Sequence, residues 1–236
     1  MASQWVDCDR EAVSHRYDRI ANLIVLFEWL LFLPRDLRRK AVSCLALSRG
    51  GTVLEVGCGT GRNLPCLHEA VGPAGRIYGV DIPPGMLGKA ISLCEENHWG
   101  NVELHQCDAA EFRAPVPLDG VLFSLSYNTI SHHRVVLRKA WEQLRPGGRL
   151  VIMDAKLPPG LGGRLVLPFS LWLMKRTLLG NPLIEPWKEL AAVAERVDME
   201  ETLLGSYYIC HAMKPIGTAE SFGAGDVDAN YRIAAE

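Results

Sequence analysis

A short apolar run followed by three closely spaced glycines constrains the fold of this chain more than any other feature. Residues 53–56 (VLEV) predict a buried strand, and Gly57, Gly59 and Gly61 follow it directly. Glycine lets the backbone turn sharply and approach a ligand closely, because it has no Cβ. A helical pattern comes next, and the free N–H groups at a helix start carry a partial positive charge. The segment therefore predicts a strand–turn–helix unit with a nucleotide-like ligand at the turn.

Strand and helix signals alternate through the central part of the chain. The strand signals lie at residues 53–56, 76–81, 102–106, 120–126, 149–154, 200–204 and 207–213, and the helical patterns between them include residues 84–97 and 133–144. Short strands that alternate with helices are typical of a parallel sheet covered on both faces. We therefore expect an α/β fold over residues 48–214, with a seven-stranded, mostly parallel sheet and helices on both faces.

Three segments depart from this alternation. Residues 1–47 predict an N-terminal helical cap that is broken at Pro34. Residues 158–186 are rich in Pro, Gly and large apolar side chains, which indicates an apolar lid insertion. Residues 215–236 are rich in Gly, Ala and Asp, with little to bury, so we expect a flexible tail.

Charge and cysteine usage narrow the function classes. The formal net charge of −2 gives no basic face for nucleic acid, which favours a small molecule or a lipid as the partner. The seven cysteines form no C-x-x-C pair, so no metal site is expected. Their odd number and the polar start of the chain predict reduced thiols and a cytoplasmic location.

Two carboxylates follow the second and third predicted strands. Asp81 ends strand 76–81, where a carboxylate can accept hydrogen bonds from both ribose hydroxyls, and Asp108 follows strand 102–106. The carboxyl ends of parallel strands meet at one edge, so both should lie near the glycine turn. The glycine spacing is G-x-G-x-G, whereas dinucleotide sites have G-x-G-x-x-G. A plain tight turn, and a helix cap for Asp108, are the structural alternatives.

As a set, these motifs resemble those of class I S-adenosylmethionine-dependent methyltransferases. The resemblance rests on VLEVGCGTG at 53–61, GVD at 79–81 with ML at 86–87, DA at 108–109 and LRPGG at 144–148, and it covers about residues 50–156. It implies a single Rossmann-like methyltransferase domain, methyltransferase activity and S-adenosylmethionine as the cofactor.

The resemblance also implies roles for individual residues. Glu55 would orient the methionine ammonium of the cofactor. Asp81 would bind the ribose and Asp108 the adenine amino group, with Ile82 and Ala109 on either side of the adenine ring. The other residues expected at the cofactor are Tyr17, Gly57, Gly59, Gly61, Asn63, Met86 and Ser124. Tyr17 is included because RYD at 16–18 resembles the N-terminal Tyr-Asp with which the family closes over the cofactor.

A second group of motifs bears on the acceptor. GTGRNL at 59–64 and LFSLS at 122–126 resemble bacterial N-methyltransferases of phosphatidylethanolamine and betaine lipids. GSYYI at 205–209 resembles that group and the related ubiquinone and menaquinone C-methyltransferases. The expected reaction is therefore N-methylation of an amine on a lipid or other apolar acceptor. The alternatives are C- or O-methylation of a quinone precursor or specialised metabolite, and a non-catalytic S-adenosylmethionine-binding scaffold.

Two apolar segments, each followed by basic residues, are consistent with an apolar acceptor. Residues 20–33 precede a basic stretch that includes Arg38, and residues 165–174 precede Lys175 and Arg176. Both segments are too short to span a bilayer. They predict peripheral contact through residues 20–40 and 165–176 at the inner face of the membrane. Burial against the core or a partner subunit, or coverage of the acceptor pocket, are the alternatives.

Tyr17, Tyr127 and His132 are the candidates for acceptor chemistry. An amine acceptor must lose a proton before it is methylated, and aromatic rings stabilise cationic sulfonium and ammonium groups. Tyr127 follows the fourth strand, and His132 lies near the same edge, where it could act as a base. Adjacent histidines point in different directions, so His133 is expected to face solvent and a shared metal is not expected. Asp154 either contacts the acceptor or caps the loop after the fifth strand.

Overall fold

The structure is a computed structural model that describes residues 36–157, 160, 181, 183–216 and 231–234. Most of the predicted N-terminal cap, including Tyr17 and the apolar run 20–33, lies outside the described residues. The same holds for most of the predicted insertion 158–186, including residues 165–176. None of the helices in the described ranges has the length and apolar character needed to cross a bilayer.

Helices and strands alternate in the described residues as the sequence predicts. The helices are α1 (Leu37–Cys44), α2 (Leu64–Val71), α3 (Pro84–Glu96), α4 (His133–Gln143) and α5 (Pro186–Ala191). The strands are β1 (Thr52–Val56), β2 (Arg76–Asp81), β3 (Val102–Gln106), β4 (Leu118–Ser124), β5 (Leu144–Ala155), β6 (Val197–Thr202), β7 (Tyr207–Met213) and β8 (Tyr231–Ala234). A short 3-10 turn, Tyr127–Thr129, lies between β4 and α4.

The strands form one sheet in the order β3-β2-β1-β4-β5-β7-β6-β8. The five strands β1 to β5 are parallel to one another, and β7 pairs antiparallel with both β5 and β6. In the centre, Val53 of β1 lies opposite Ile77 on one side and Gly120 on the other. The predicted Rossmann-like α/β fold with seven mostly parallel strands is therefore confirmed.

An eighth strand extends the sheet at the β6 edge. The composition of residues 215–236 predicts a flexible tail, whereas the structure pairs β8 in parallel with β6, with Ile233 opposite Met199. The backbone N–H and C=O groups of β6 would otherwise be unpaired on that side. Backbone pairing does not depend on the apolar content of a segment, so composition does not reveal it.

Both faces of the sheet are covered. Phe123 and Trp141 belong to the buried cluster on the side of α4 and α5. Leu37, Leu64 and Ala90 belong to the cluster on the side of α1, α2 and α3. Strands buried on both faces read as continuous apolar runs, which is why the central strands are recognisable in the sequence.

The end of β4 differs slightly from the predicted end of the fourth strand. The predicted fourth strand runs to residue 126, but β4 ends at Ser124. Leu125 has a positive φ of 55°, which breaks the extended conformation and turns the chain toward the 3-10 turn. The loops after β1, β2, β3, β4 and β5 thus meet at one edge of the sheet, and these loops carry the predicted site residues.

Candidate active site

The glycine turn after β1 adopts a conformation that favours glycine. Gly57, Gly59 and Gly61 have φ values of 71°, 55° and 79°, in the left-handed region that is costly for other residues. A Cβ at Gly57 would lie 2.5 Å from Ser126 Cβ, and one at Gly61 would lie 2.8 Å from Leu64 Cδ1. These two glycines are therefore required by packing as well as by backbone conformation.

Gly59 has different surroundings. A Cβ built there would have no closer neighbours than Asp81 Oδ2 and Met86 Cε, both at 3.9 Å. Packing within the described protein therefore does not exclude a side chain at this position. Met86 itself is buried. The space over Gly59 is where a ligand can approach the backbone, next to a carboxylate, as the sequence predicts.

The carboxylate of Asp81 is oriented by two backbone groups. Oδ2 accepts a hydrogen bond from the Gly59 N–H at 2.6 Å, and Oδ1 accepts one from the Ile82 N–H at 2.8 Å. Burial raises the pKa of Asp81, and these two hydrogen bonds oppose the rise. Each carboxylate oxygen has a further lone pair. This arrangement fits the proposed ribose contact, because the carboxylate is fixed beside the open side of the glycine turn.

Glu55 in β1 is buried, with 1% of its surface exposed. Its Oε1 accepts a hydrogen bond from Asn63 Nδ2 at 2.5 Å, whereas Oε2 is buried without a hydrogen-bond partner among the described residues. Burial raises the pKa of Glu55 to about 7, opposed by the Asn63 hydrogen bond and the charge of Arg38. A buried carboxylate is stabilised by a cation. The absence of a hydrogen-bond partner for Oε2 among the described residues therefore fits the ammonium contact expected of Glu55.

Arg38 in α1 makes a contact that the sequence did not reveal. Its Nη1 donates to Asn63 Oδ1 and to Ser124 Oγ, both at 3.1 Å. Arg38 thereby joins α1 to the helix start after β1 and to the end of β4. Asn63 and Ser124, both expected at the cofactor, are brought together beside Glu55. The sequence placed Arg38 only in a basic stretch, because local patterns do not show contacts between distant segments.

The residues expected around adenine lie after β2 and β3. Asp108 Oδ1 accepts a hydrogen bond from the Ala110 N–H at 2.8 Å within a turn, and no helix of the described ranges begins there, in contrast to the helix cap considered as an alternative. Ile82 has 39% of its surface exposed, and Ala109 is half-buried. Their positions at neighbouring strand ends are compatible with contacts to a flat ring. The adenine contact of Asp108 stays a prediction.

Tyr127 is fully buried in the 3-10 turn after β4. Its hydroxyl donates to Glu189 Oε2 at 2.6 Å, and its ring makes an edge contact with Phe123 at a centroid distance of 5.2 Å. Burial and the Glu189 carboxylate raise the pKa of Tyr127. A hydroxyl that already donates to a carboxylate is a poor proton acceptor. The geometry therefore gives Tyr127 the role of attaching α5 to the turn, and does not support the predicted role in acceptor chemistry.

The two histidines at the start of α4 differ in their surroundings. His132 is exposed at the N-cap position. His133 is partly buried, with Nε2 3.2 Å from Glu189 Oε1 and Nδ1 3.1 Å from the Ile130 carbonyl oxygen. The expectation that His133 faces solvent is therefore wrong, because α5 packs against it. No group of three potential metal ligands occurs in the described ranges.

Asp154 is the penultimate residue of β5 and lies beside the turn that follows β4. Its Oδ2 accepts a hydrogen bond from the Asn128 N–H at 3.1 Å, and its Oδ1 accepts one from the Ala155 N–H at 2.8 Å. The Asn128 side chain donates in turn to the Ala155 carbonyl at 3.0 Å. Burial raises the pKa of Asp154 to about 7. Both carboxylate oxygens of Asp154 therefore accept backbone hydrogen bonds at this edge of the sheet. The acceptor contact of Asp154 stays a prediction.

Comparisons with known protein sequences identify a family and relatives that this chain resembles. A family model described as a methyltransferase domain matches residues 47–194. A demethylmenaquinone methyltransferase of Listeria monocytogenes is 28% identical over 214 residues, which cover 86% of this chain and 88% of that protein. One from Geobacillus kaustophilus is 27% identical over 186 residues, with coverages of 78% and 77%.

Solved structures of low sequence identity share the fold. The YcgJ protein of Bacillus subtilis has a TM-score of 0.63 and 14% identity, and covers 78% of this chain and 100% of its own. A methyltransferase from Aquifex aeolicus, described as S-adenosylmethionine-dependent, has a TM-score of 0.52 and 23% identity, with coverages of 76% and 93%. These similarities concern the fold alone.

The role of the space over Gly59 can be tested by comparing alanine substitutions at Gly59 and at Gly50. Both glycines have positive φ, and neither has a close neighbour around its Cβ position, but Gly50 lies before β1 at the opposite end of the strand. Gly59→Ala and Gly50→Ala should each lower the free energy of unfolding by about 1–2 kcal/mol through backbone strain. Only Gly59→Ala should also weaken S-adenosylmethionine binding, by about tenfold or more, because its methyl group occupies ligand space.

Calorimetric titration and chemical denaturation of both variants measure these two quantities. Equal cofactor affinities for Gly59→Ala and Gly50→Ala would show that the space over Gly59 is not the ligand site.

The raised pKa of Glu55 gives a second prediction. A carboxyl whose folded pKa lies above its unfolded value stabilises the fold below the unfolded pKa, and this contribution is lost as pH rises through about 7. Glu55→Gln should therefore raise the unfolding temperature of the ligand-free protein at pH 8 by about 5 °C. The same variant should bind S-adenosylmethionine at least about tenfold more weakly, because the ammonium loses its anionic partner.

Thermal unfolding at pH 8 and pH 5, with calorimetric titration at pH 8, tests both effects. At pH 5 the two proteins should unfold at nearly the same temperature, since Glu55 is then protonated in the native chain. A variant that is less stable at pH 8, or that binds the cofactor normally, would contradict the assignment.

Proposed function

Because the chain belongs to the S-adenosylmethionine-dependent methyltransferases, we propose that it methylates an apolar, ring-hydroxylated acceptor of the quinol type. The observation that carries this acceptor class is the match to demethylmenaquinone methyltransferases along most of both chains. Methylation at a ring carbon is the form of the reaction that follows from it. The same class was one of the alternatives predicted from the sequence.

Each residue of the donor site would bind a different part of the cofactor. When bound, S-adenosylmethionine supplies an electrophilic methyl group on a positively charged sulfur. Glu55 would bind the ammonium, Asp81 the ribose hydroxyls, and Ile82 and Ala109 the adenine ring. Asn63 donates a hydrogen bond to the Glu55 carboxylate, and Arg38 donates one to the Asn63 side chain, which holds the amide in this orientation. The protein's contribution is to position the two reactants and exclude water.

The basic side chains beside the β4 and β5 ends favour an uncharged acceptor over a phospholipid. Arg134 Nε is 3.0 Å from Glu189 Oε1, and Lys156 forms an ion pair with Glu201. A phosphate headgroup is bound by cations that can contact its oxygens. Both of these cations already have carboxylate partners. A quinol has no anionic headgroup and does not require them.

N-methylation of a lipid amine, the reaction first expected from the sequence, is the second candidate. One feature favours it: the Lys156 ammonium lies 5.0 Å from the centroid of the Trp187 ring. A methylated ammonium that replaced the Lys156 ammonium on this aromatic face would be stabilised by a cation–π contact. Peripheral membrane contact through residues 20–40 and 165–176 is part of this proposal, and nearly all of those residues lie outside the described ranges.

Transfer of a labelled methyl group distinguishes the two acceptors. The full chain is incubated with methyl-labelled S-adenosylmethionine and either reduced 1,4-naphthoquinone or phosphatidylethanolamine vesicles. We expect label in the ring-methylated naphthoquinone, and at least about tenfold less label with Asp81→Ala, which loses charge-assisted hydrogen bonds to the donor. Gly50→Ala serves as the matched control and should transfer label normally.

Label found only in phosphatidylethanolamine, together with sedimentation of the protein with anionic vesicles, would replace the quinol proposal with the amine. Tight donor binding without transfer to either acceptor would overturn the quinol proposal as well.

A further inference from the structure

We propose that Asp154 is the proton acceptor of the methyl-transfer reaction, in a polar acceptor subsite that it forms with Asn128 and Tyr208. This inference rests on the proposed function and identifies the residues that would bind and deprotonate the acceptor. We call these three residues the acceptor subsite.

The sheet brings the acceptor subsite next to the donor site. Ser124, which accepts a hydrogen bond from Arg38, lies opposite Met153 in the β4–β5 pair, and Asp154 is the next residue of β5. Successive residues of a strand point to opposite faces, so Asp154 lies on the face of α4 and α5 and Ser124 on the face of α1, and the two sites adjoin at the strand ends. Tyr208 of β7 lies opposite Asp154 on the other side. Asn128 approaches from the 3-10 turn and donates its backbone N–H to Asp154. Three elements thus converge beside the end of β4.

Two members of the acceptor subsite carry buried atoms with no hydrogen-bond partner. Asn128 is 7% exposed and Tyr208 is fully buried, yet Asn128 Oδ1 and the Tyr208 hydroxyl have no hydrogen bond to any described residue. The hydroxyl lies close to the Asn128 side chain but outside hydrogen-bond geometry. Buried polar atoms without partners are rare and call for a missing group. An amide oxygen and a phenolic hydroxyl together match a group that both donates and accepts, as a ring hydroxyl does.

The chemistry of ring methylation requires a proton acceptor. The Asp154 carboxylate takes the proton of the ring hydroxyl, which makes the neighbouring ring carbon more nucleophilic. A carbon–carbon bond then forms as the sulfur–methyl bond breaks. The hydrogen on the methylated carbon moves to the ring oxygen and restores the hydroxyl, so one proton per methyl group remains on Asp154. It passes to water when the product leaves.

Among the titratable groups of the acceptor subsite and its neighbours, Asp154 is the one expected to change its protonation state near pH 7. Burial raises its pKa to about 7, opposed by hydrogen bonds from backbone N–H groups of Asn128, Ala155 and Tyr127. Its titratable neighbours are Tyr127 on the 3-10 turn and Tyr208 and Cys210 on β7, and burial raises the pKa of all three. They therefore stay neutral near pH 7. A base is most effective when its pKa lies near the working pH.

The pH dependence of Asp154→Asn tests the role. With reduced 1,4-naphthoquinone, or with phosphatidylethanolamine if that is the acceptor that takes label, kcat at pH 8 should fall about 100-fold. The native rate should decrease about tenfold per pH unit below pH 7, and the variant should lose this dependence. S-adenosylmethionine affinity should stay within about twofold of the native value, because the donor contacts are unchanged.

Asp119→Asn provides the matched control. Asp119 also accepts a backbone hydrogen bond, from the Thr52 N–H at 2.7 Å, but at the opposite edge of the sheet. Its loss should affect stability and leave the pH profile unaltered. Tyr208→Phe should raise KM about tenfold with a smaller effect on kcat, because it removes a hydrogen-bond donor to the acceptor. A variant Asp154→Asn with more than a tenth of native kcat, or with the native pH profile, would overturn the proposal.

A measurement without acceptor separates this inference from the proposed function. Carboxyl ¹³C signals of the aspartate-labelled native protein are titrated, and the Asp154 signal is assigned with Asp154→Glu, which also serves if Asp154→Asn does not fold. Titration of Asp154 near pH 7 supports its role, and titration below about pH 5 rejects it. A failure of naphthoquinone to accept label would reject the quinol proposal alone.

Discussion

The left-handed turn after β1 is the constraint on which the rest of the site depends. The Val80 carbonyl of β2 accepts a hydrogen bond from the Gly57 N–H at 2.9 Å, which holds the turn against the neighbouring strand. On the other side, Ser126 donates to the Val56 carbonyl at 2.6 Å and fills the space where a Gly57 side chain would lie. The turn thus joins the ends of β1, β2 and β4. Any residue with a side chain at Gly57 would force these strand ends apart.

The polar groups that surround this turn are buried at a cost to the ligand-free fold. Glu55 and Asp154 each have a pKa raised to about 7 by burial, so both lose stabilising free energy when they ionise. A sheet built only for stability would place apolar residues at these positions. Their presence is understandable when a ligand supplies what the protein lacks, namely a cation for Glu55 and a transferable proton for Asp154. The proposed roles of Glu55 and Asp154 would therefore account for a charge distribution that folding alone does not favour.

The sequence predicts those parts of the structure that local patterns determine. The strands, the glycine turn and the position of Asp81 follow from apolar runs and backbone requirements within short segments. The contacts of Arg38 with Ser124 and of His133 with Glu189 join segments that are far apart, at separations of 86 and 56 residues. The periodicity of apolar residues along the sequence does not show which distant residues form such pairs. Most of the donor site could therefore be predicted, whereas the surroundings of the acceptor depend on how α5 and β7 pack, which only the tertiary structure shows.

The sheet order gives a physical reason for the proximity of the donor and acceptor sites. β4 lies between β1, which precedes the glycine turn, and β5, whose penultimate residue is Asp154. Neighbouring strands are about 5 Å apart, so Ser124 at the end of β4 is within one strand of both sites. Methyl transfer needs the reacting atoms to be about 3 Å apart and aligned. Strand positions set by backbone hydrogen bonds can hold such a distance more reliably than flexible loops. The chemistry of the two sites can then differ among proteins that share the sheet, because the donor depends on the loops after β1 and β2, and the acceptor on the residues after β4 and β5.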